Sequence, residues 1–122
     1  MSASSTPPDQ SQPGLTTRTA AQSGDRLVLR VEGELDLSTV DQFAGALDDA
    51  LEAEPGEIVL DLRDLHFIDS SGVGAYVTAY RRARSRQVRL RIGDRSPAVA
   101  RVLELSGVEE ALRAETESAE SN

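Results

Sequence analysis

From Leu27 to Gly107 the apolar residues of this 122-residue chain switch repeatedly between a two-residue period and helical spacing. That alternation constrains the fold more than any single motif, because strands and helices taken in turn must build a sheet with helices laid against it. Leu27, Leu29 and Val31 alternate with Val28, Arg30 and Glu32, the pattern of a strand with one buried face, and Gly33 closes it. From Ser38 onward Val40, Phe43, Ala44, Leu47, Ala50 and Leu51 fall at helical spacing, with Asp41, Asp48, Asp49 and Glu52 outside it. Ser38 or Thr39 can cap that helix, and Pro55-Gly56 ends it. Ile58-Val59-Leu60 is a short continuous apolar run, expected of a central strand covered on both faces. A second helix starts at Ser70 or Ser71, buries Val73, Val77 and Tyr80 with Tyr76 at the core or its edge, and ends near Ser85–Arg86. Val88, Leu90 and Ile92 alternate with Arg89 and Arg91 as another strand. Ser96-Pro97 opens a third helix carrying Val99, Val102, Leu103 and Leu105, and Gly107 stops it. The order β-α-β-α-β-α, with a small strand allowed at each end, predicts an α/β fold: a mostly parallel central sheet of about four to five strands with helices packed against it.

The two ends read differently. Residues 1–24 are rich in Ser, Thr, Pro, Gln and Gly, with Met1 and Leu15 as their only large apolar side chains, too little to offset ordering entropy. Residues 1–14 are therefore expected to form a disordered tail, with a short edge strand near Leu15–Ala20. The polar acidic run Glu115–Asn122 is expected to fray, leaving one domain over 15–115 and a flexible acidic tail over 116–122. No apolar run approaches the roughly 18–20 residues of a membrane span, and the first residues lack a signal peptide's charged and apolar regions. A cytoplasmic chain without membrane contact is expected.

Composition narrows the chemistry. With no cysteine there is no disulfide, thiolate metal site or cysteine nucleophile, and a single histidine, His66, argues against a multi-histidine metal centre. No cofactor or metal is expected. The net charge of −8 speaks against direct nucleic-acid binding. Its layout is uneven: residues 25–65 carry twelve acids and three arginines, 66–101 two acids and eight arginines, and 102–122 six acids and one arginine. Arginines 81, 82, 84, 86, 89, 91 and 95 read first as the solvated face of a helix end and a strand, and second as a patch for an acidic partner surface.

Chemistry concentrates in Leu60-Asp61-Leu62-Arg63-Asp64-Leu65-His66-Phe67-Ile68-Asp69-Ser70-Ser71-Gly72-Val73-Gly74, which runs from a buried strand through a loop into a helix start. Function in parallel α/β folds collects at such strand ends. Asp69, Ser70 and Ser71 offer oxygens where a helix leaves N–H groups unpaired, and Gly72 and Gly74 keep the first turns open to close approach. A serine here is exposed beside the positive end of a helix dipole, which can compensate part of an added phosphate's charge. On spacing alone, simple helix capping outweighs this functional reading. His66, Asp69 and Ser70 do not make a catalytic triad, since triad members converge from separate segments and no G-x-S-x-G elbow is present. Gly72-Val73-Gly74 is not a P-loop, which needs a lysine the chain lacks.

The same segment resembles the signature of STAS-domain anti-sigma-factor antagonists, in which a strand of the form IVLDL leads to F-I-D-S-S-G-x-G at a helix start. Here these are Ile58-Val59-Leu60-Asp61-Leu62 and Phe67-Ile68-Asp69-Ser70-Ser71-Gly72-Val73-Gly74. A second element, the strand-ending G-E-L-D, is matched by Gly33-Glu34-Leu35-Asp36, and the likeness covers roughly residues 15–115. The resemblance implies a partner switch and no enzymatic activity. An anti-sigma factor with serine kinase activity phosphorylates the serine after the aspartate, which maps onto Ser70; the unphosphorylated antagonist binds that factor and frees a sigma factor, and a serine phosphatase restores binding. Asp36 and Asp69 match acidic positions beside the site, while Ser71, Gly72 and Gly74 match positions that support the loop or meet the partner. Two other roles fit the same resemblance: a STAS accessory module that is never phosphorylated, and a small-molecule or nucleotide sensor using the same loop.

Overall fold

The computed structural model describes residues 14–120. Its elements are β1 (Leu15–Ser23), β2 (Arg26–Leu35), α1 (Val40–Glu52), β3 (Glu57–Leu62), β4 (Leu65–Ile68), α2 (Ser70–Ser85), β5 (Arg89–Arg95), α3 (Pro97–Ser106) and α4 (Val108–Glu120). The five-stranded sheet has the order β1-β2-β3-β5, with β4 also paired to β2. Only the β1–β2 hairpin is antiparallel; β3 and β4 run parallel to β2, and β5 runs parallel to β3. The mostly parallel α/β sheet expected from the hydrophobic alternation is present. The disordered tail expected over 1–14 falls outside the described residues except for Gly14.

Strand β2 is long because it serves two neighbours in succession. Arg26 to Arg30 pair with β3, and Gly33 to Leu35 pair with β4, so the segment from Glu57 to Ile68 follows β2 almost throughout. Gly33, at φ +106, opens the β4-paired half, where the register with β4 shifts between Gly33 and Glu34, and a Cβ there would meet the Gly14 carbonyl oxygen at 2.0 Å. Only glycine fits this crossing point. The sequence reading treats Leu65–Ile68 as loop. It is a strand because Gly33 N–H donates to the Asp64 carbonyl (3.1 Å) and Arg30 pairs with the Asp64 carboxylate, bringing the chain back onto β2.

One core lies against one face of the sheet. Leu27, Leu29 and Val31 of β2 with Ile58, Leu60 and Leu62 of β3 meet Phe43 and Leu47 of α1, Tyr76 of α2, Val99 and Leu103 of α3, and Val108 and Leu112 of α4. Val59 is buried but stands outside that cluster, in register with Val28 and Arg91. The run Ile58-Val59-Leu60 is thus not covered alike on both faces: on the Val59 side Glu57 holds Arg26 and Arg91, and Asp61 holds Arg63. On α2 the deeply buried aromatic is Tyr76, while Val73, Val77 and Tyr80 are half-buried, and on α3 Leu105 is exposed.

The C-terminal end departs from expectation. Among the described residues no strand follows α3; Gly107, at φ +66, ends it and α4 begins at once, running to Glu120 instead of fraying from residue 115. The reason is pairing between the basic block and the acidic end. Arg81 forms two hydrogen bonds to Glu115 (3.0 and 2.8 Å), and the Tyr80 hydroxyl meets Thr116 Oγ1 at 2.6 Å. Arg82 pairs with Asp48, Arg91 with Glu57 and Arg95 with Glu109, so much of the arginine cluster is matched within the chain. Among the described residues no helix is long and apolar enough to cross a membrane.

Candidate functional site

The site lies where β2 and β4 end and α1 and α2 begin. Asp69 ties these elements together. Its N–H donates to the Leu35 carbonyl (3.2 Å), extending the β4–β2 ladder by one bond. Its carboxylate accepts from the N–H groups of Ser71 (2.9 Å) and Gly72 (3.2 Å), and its carbonyl accepts from Val73 N–H (3.0 Å), the first bond of α2. Asp69 is therefore the N-cap of α2, with extended backbone leading into the helix.

Ser70 is the first residue of α2 and is exposed, and its hydroxyl makes no hydrogen bond among the described residues. Ser71 is half-buried on the side facing α1. The two glycines behave differently from each other. A Cβ on Gly72 would stand 2.7 Å from Leu35 Cγ and 2.8 Å from Ile68 Cγ1, so this glycine is required by the chain's own core. A Cβ on Gly74 would meet nothing within 4 Å.

Asp36 is the residue after Leu35, so the Leu35–Asp69 bond brings both acidic positions to adjacent strand ends. The Asp36 carboxylate accepts from the Ser38 N–H (2.9 Å) and hydroxyl (2.7 Å). These bonds, the Ser38 hydroxyl first, hold the Asp36 carboxyl below the usual range and keep it ionised. Thr39 occupies the cap position of α1 without capping it; its hydroxyl accepts from Asp36 N–H (3.0 Å) and donates to the Glu34 carbonyl (2.8 Å), bracing the turn instead. Asp36, Asp41 and Asp69 form no ion pair among the described residues, and the Leu35–Asp69 bond sets Asp36 and Asp69 at neighbouring strand ends.

Two residues of this surface escape the sequence reading. Leu37, at the tip of the β2–α1 turn, is 78% exposed, and Phe67, on β4, is 47% exposed. Leu37 carries a signal, being a large apolar residue inside a polar turn. Phe67 carries none until β4 is recognised as a strand, whose alternation buries Ile68 and turns Phe67 outward.

Comparison with known proteins agrees with this architecture. A family model described as STAS domain matches residues 17–121. An anti-sigma F factor antagonist from Paenibacillus polymyxa is 36% identical over 83 residues, covering 67% of this chain and 71% of the relative. The crystal structure of an anti-sigma factor antagonist from Mycobacterium paratuberculosis superposes with a TM-score of 0.71 at 25% identity, covering 80% of this chain and 81% of that one. The anti-sigma factor antagonist SpoIIAA in its unphosphorylated form gives a TM-score of 0.65 at 26% identity, over 84% of this chain and 97% of that one. The Bacillus SpoIIAA in its phosphorylated form gives 0.60 at 26% identity, over 78% and 86%.

Proposed function

Since the chain belongs to the STAS domain family, we propose that it is an anti-sigma factor antagonist whose binding is switched by phosphorylation of Ser70. The observation that carries this reading is an exposed, unbonded serine hydroxyl at the first position of α2, directly after the capping Asp69. The names and forms of the relatives support it: one is an anti-sigma F factor antagonist, and SpoIIAA has been solved both with and without phosphorylation.

The unphosphorylated chain binds an anti-sigma factor of serine-kinase type and so frees a sigma factor. That kinase transfers the γ-phosphoryl group of ATP to Ser70 Oγ: the Oγ–P bond forms, the bond to the β-phosphate breaks, ADP leaves, and the serine proton passes to a base on the kinase. The product carries about −1.5 to −2 additional charges. A bare helix N-terminus would compensate part of this, but the amides of Ser71 and Gly72 already hold Asp69. The phosphate instead adds to the charge of Asp69 and Asp36 and faces the partner. Like charges brought together at an interface cost several kcal/mol, on the order needed to abolish binding without refolding the chain. A serine phosphatase restores the binding form, and the cycle belongs in the cytoplasm with its sigma factor.

The test is incubation with purified anti-sigma kinases and ATP, followed by mass spectrometry and peptide mapping. One phosphate on Ser70, none on Ser70→Ala, and partner binding retained by Ser70→Ala but lost by Ser70→Asp are expected. No modification by any kinase, with unimpaired binding of Ser70→Asp, overturns the switch and favours an unphosphorylated accessory role.

A further inference from the structure

Helices α2 and α3 both turn left-handed as they end, but on different kinds of residue. On α3 the turning residue is Gly107, at φ +66. On α2 it is Gln87, at φ +61, fixed by a pair of bonds in which Val88 N–H donates to the Ala83 carbonyl (2.8 Å) and Gln87 N–H to the Arg84 carbonyl (3.0 Å). Glycine suits that position, and a residue with a Cβ held there costs stability. What the Gln87 side chain does in return is line a cavity of about 340 Å³, between the end of α2, the start of β5 and the last turns of α4. That volume is within the range of small-molecule sites. Glu54, the other non-glycine residue with positive φ among the described residues, does not line it.

The cavity pairs an apolar surface with positive charge. Val88 and Leu90, both buried, and the half-buried Tyr80 supply the apolar part. Arg84 and Arg89 supply the charge. Arg89 forms no ion pair among the described residues. Arg84 stands 3.5 Å from Glu115, both of whose carboxylate oxygens are held by Arg81 at 3.0 and 2.8 Å. One acid, Glu120, lines the cavity against these two cations. The Ser70 end of α2 lies roughly 21 Å along the helix from Arg84, so this is a separate place on the molecule.

We propose that this cavity binds a small organic anion, a compact apolar body bearing a carboxylate or phosphate head. The body lies on Val88, Leu90 and the Tyr80 ring, the head is paired by Arg89 and Arg84, and the Gln87 amide adds a hydrogen bond that a glycine there could not give. It does not depend on the switch at Ser70.

The probe is benzoate, followed by amide proton–nitrogen NMR of the full chain, with neutral benzamide and phenyl phosphate as comparators. Benzoate is expected to shift the amides from Gln87 to Leu90 and that of Thr116 saturably, and benzamide to bind at least about tenfold more weakly, the loss of one charge-assisted pairing. Tighter binding of phenyl phosphate assigns the head as phosphate, and weaker binding assigns it as carboxylate. Arg89→Gln should abolish the preference for benzoate over benzamide. Gln87→Gly should weaken benzoate about threefold or more while melting no lower than wild type, a combination that a merely structural role for Gln87 would not produce. Glu54→Gly, the matched relief of a left-handed residue, should leave binding unchanged. Benzoate and benzamide binding alike, a preference that survives Arg89→Gln, or shifts confined to other parts of the chain overturn the site and leave the Ser70 reading untouched. Equal weakening by Glu54→Gly removes the argument from Gln87.

Discussion

Replacing Gly72 with alanine tests whether the start of α2 is fixed by the core beneath it. The added Cβ would lie 2.7 Å from Leu35 Cγ, 2.8 Å from Ile68 Cγ1 and 3.0 Å from Leu35 Cδ2, where carbon atoms prefer about 3.5–4.0 Å. Neither neighbour can turn aside, because Leu35 is 1% exposed and Ile68 is 5% exposed, and both sit on strands joined through the Leu35–Asp69 bond. Overpacking of this kind costs about 1–3 kcal/mol, and the better helix propensity of alanine returns up to about 1. The net expectation is a loss of about 1 kcal/mol, read as a fall in melting temperature of about 4–8 °C. Gly74→Ala carries the same propensity gain with no clash, so it should be more stable than Gly72→Ala by about 2 kcal/mol in urea unfolding. The difference between the two variants isolates the steric term. If Gly72→Ala proves as stable as Gly74→Ala, the contact of α2 with Leu35 and Ile68 does not set the helix start, and the explanation of Gly72 given above fails.

Two further outcomes are expected. Asp69→Ala removes the acceptor for two α2 amides and should cost about 1 kcal/mol, whereas Asp69→Asn keeps a capping oxygen and should unfold near the wild-type urea midpoint; equal losses would mean that charge, not capping, stabilises this turn. Asp36, Glu57, Asp64 and Glu115 are all held below the usual carboxylate range, chiefly by hydrogen bonds from Ser38, Arg91, Arg30 and Arg81 respectively. The folded chain thus binds these protons less readily than the unfolded chain, so the stabilisation is fully present above about pH 4–5 and is lost as pH falls through the lower folded-state values. The urea midpoint should be flat from about pH 7 to 5 and decline below about 4, less steeply in Glu57→Gln; a midpoint that rises on acidification contradicts the pairing.

Much of the fold is legible in the residue pattern because each main element buries a periodic stripe. The Ser96 cap and the left-handed Gly107 stop of α3 are local features, and they fall where the sequence puts them. Strand β4 is not legible, since two of its four residues, His66 and Phe67, are exposed and only the long β2 gives it a partner. Helix α4 is missed for a similar reason. Its polar surface looks unable to order itself, and what holds it is Arg81 and Tyr80 of α2, more than thirty positions away in the chain.

At the candidate site residue order alone supplies the available groups: a serine after an aspartate, two glycines, and an acidic residue just past the end of β2. Helix capping and turn formation depend on residues within a few positions, so these features are written locally. Long-range packing sets the rest: Gly72 serves the core while Gly74 faces outward, Asp69 occupies amides that a phosphate would seek, and much of the basic block is neutralised by acids from other elements. Those outcomes depend on which side chains meet across β2, β4, α1, α2 and α4, contacts between residues far apart in sequence that local periodicity does not encode.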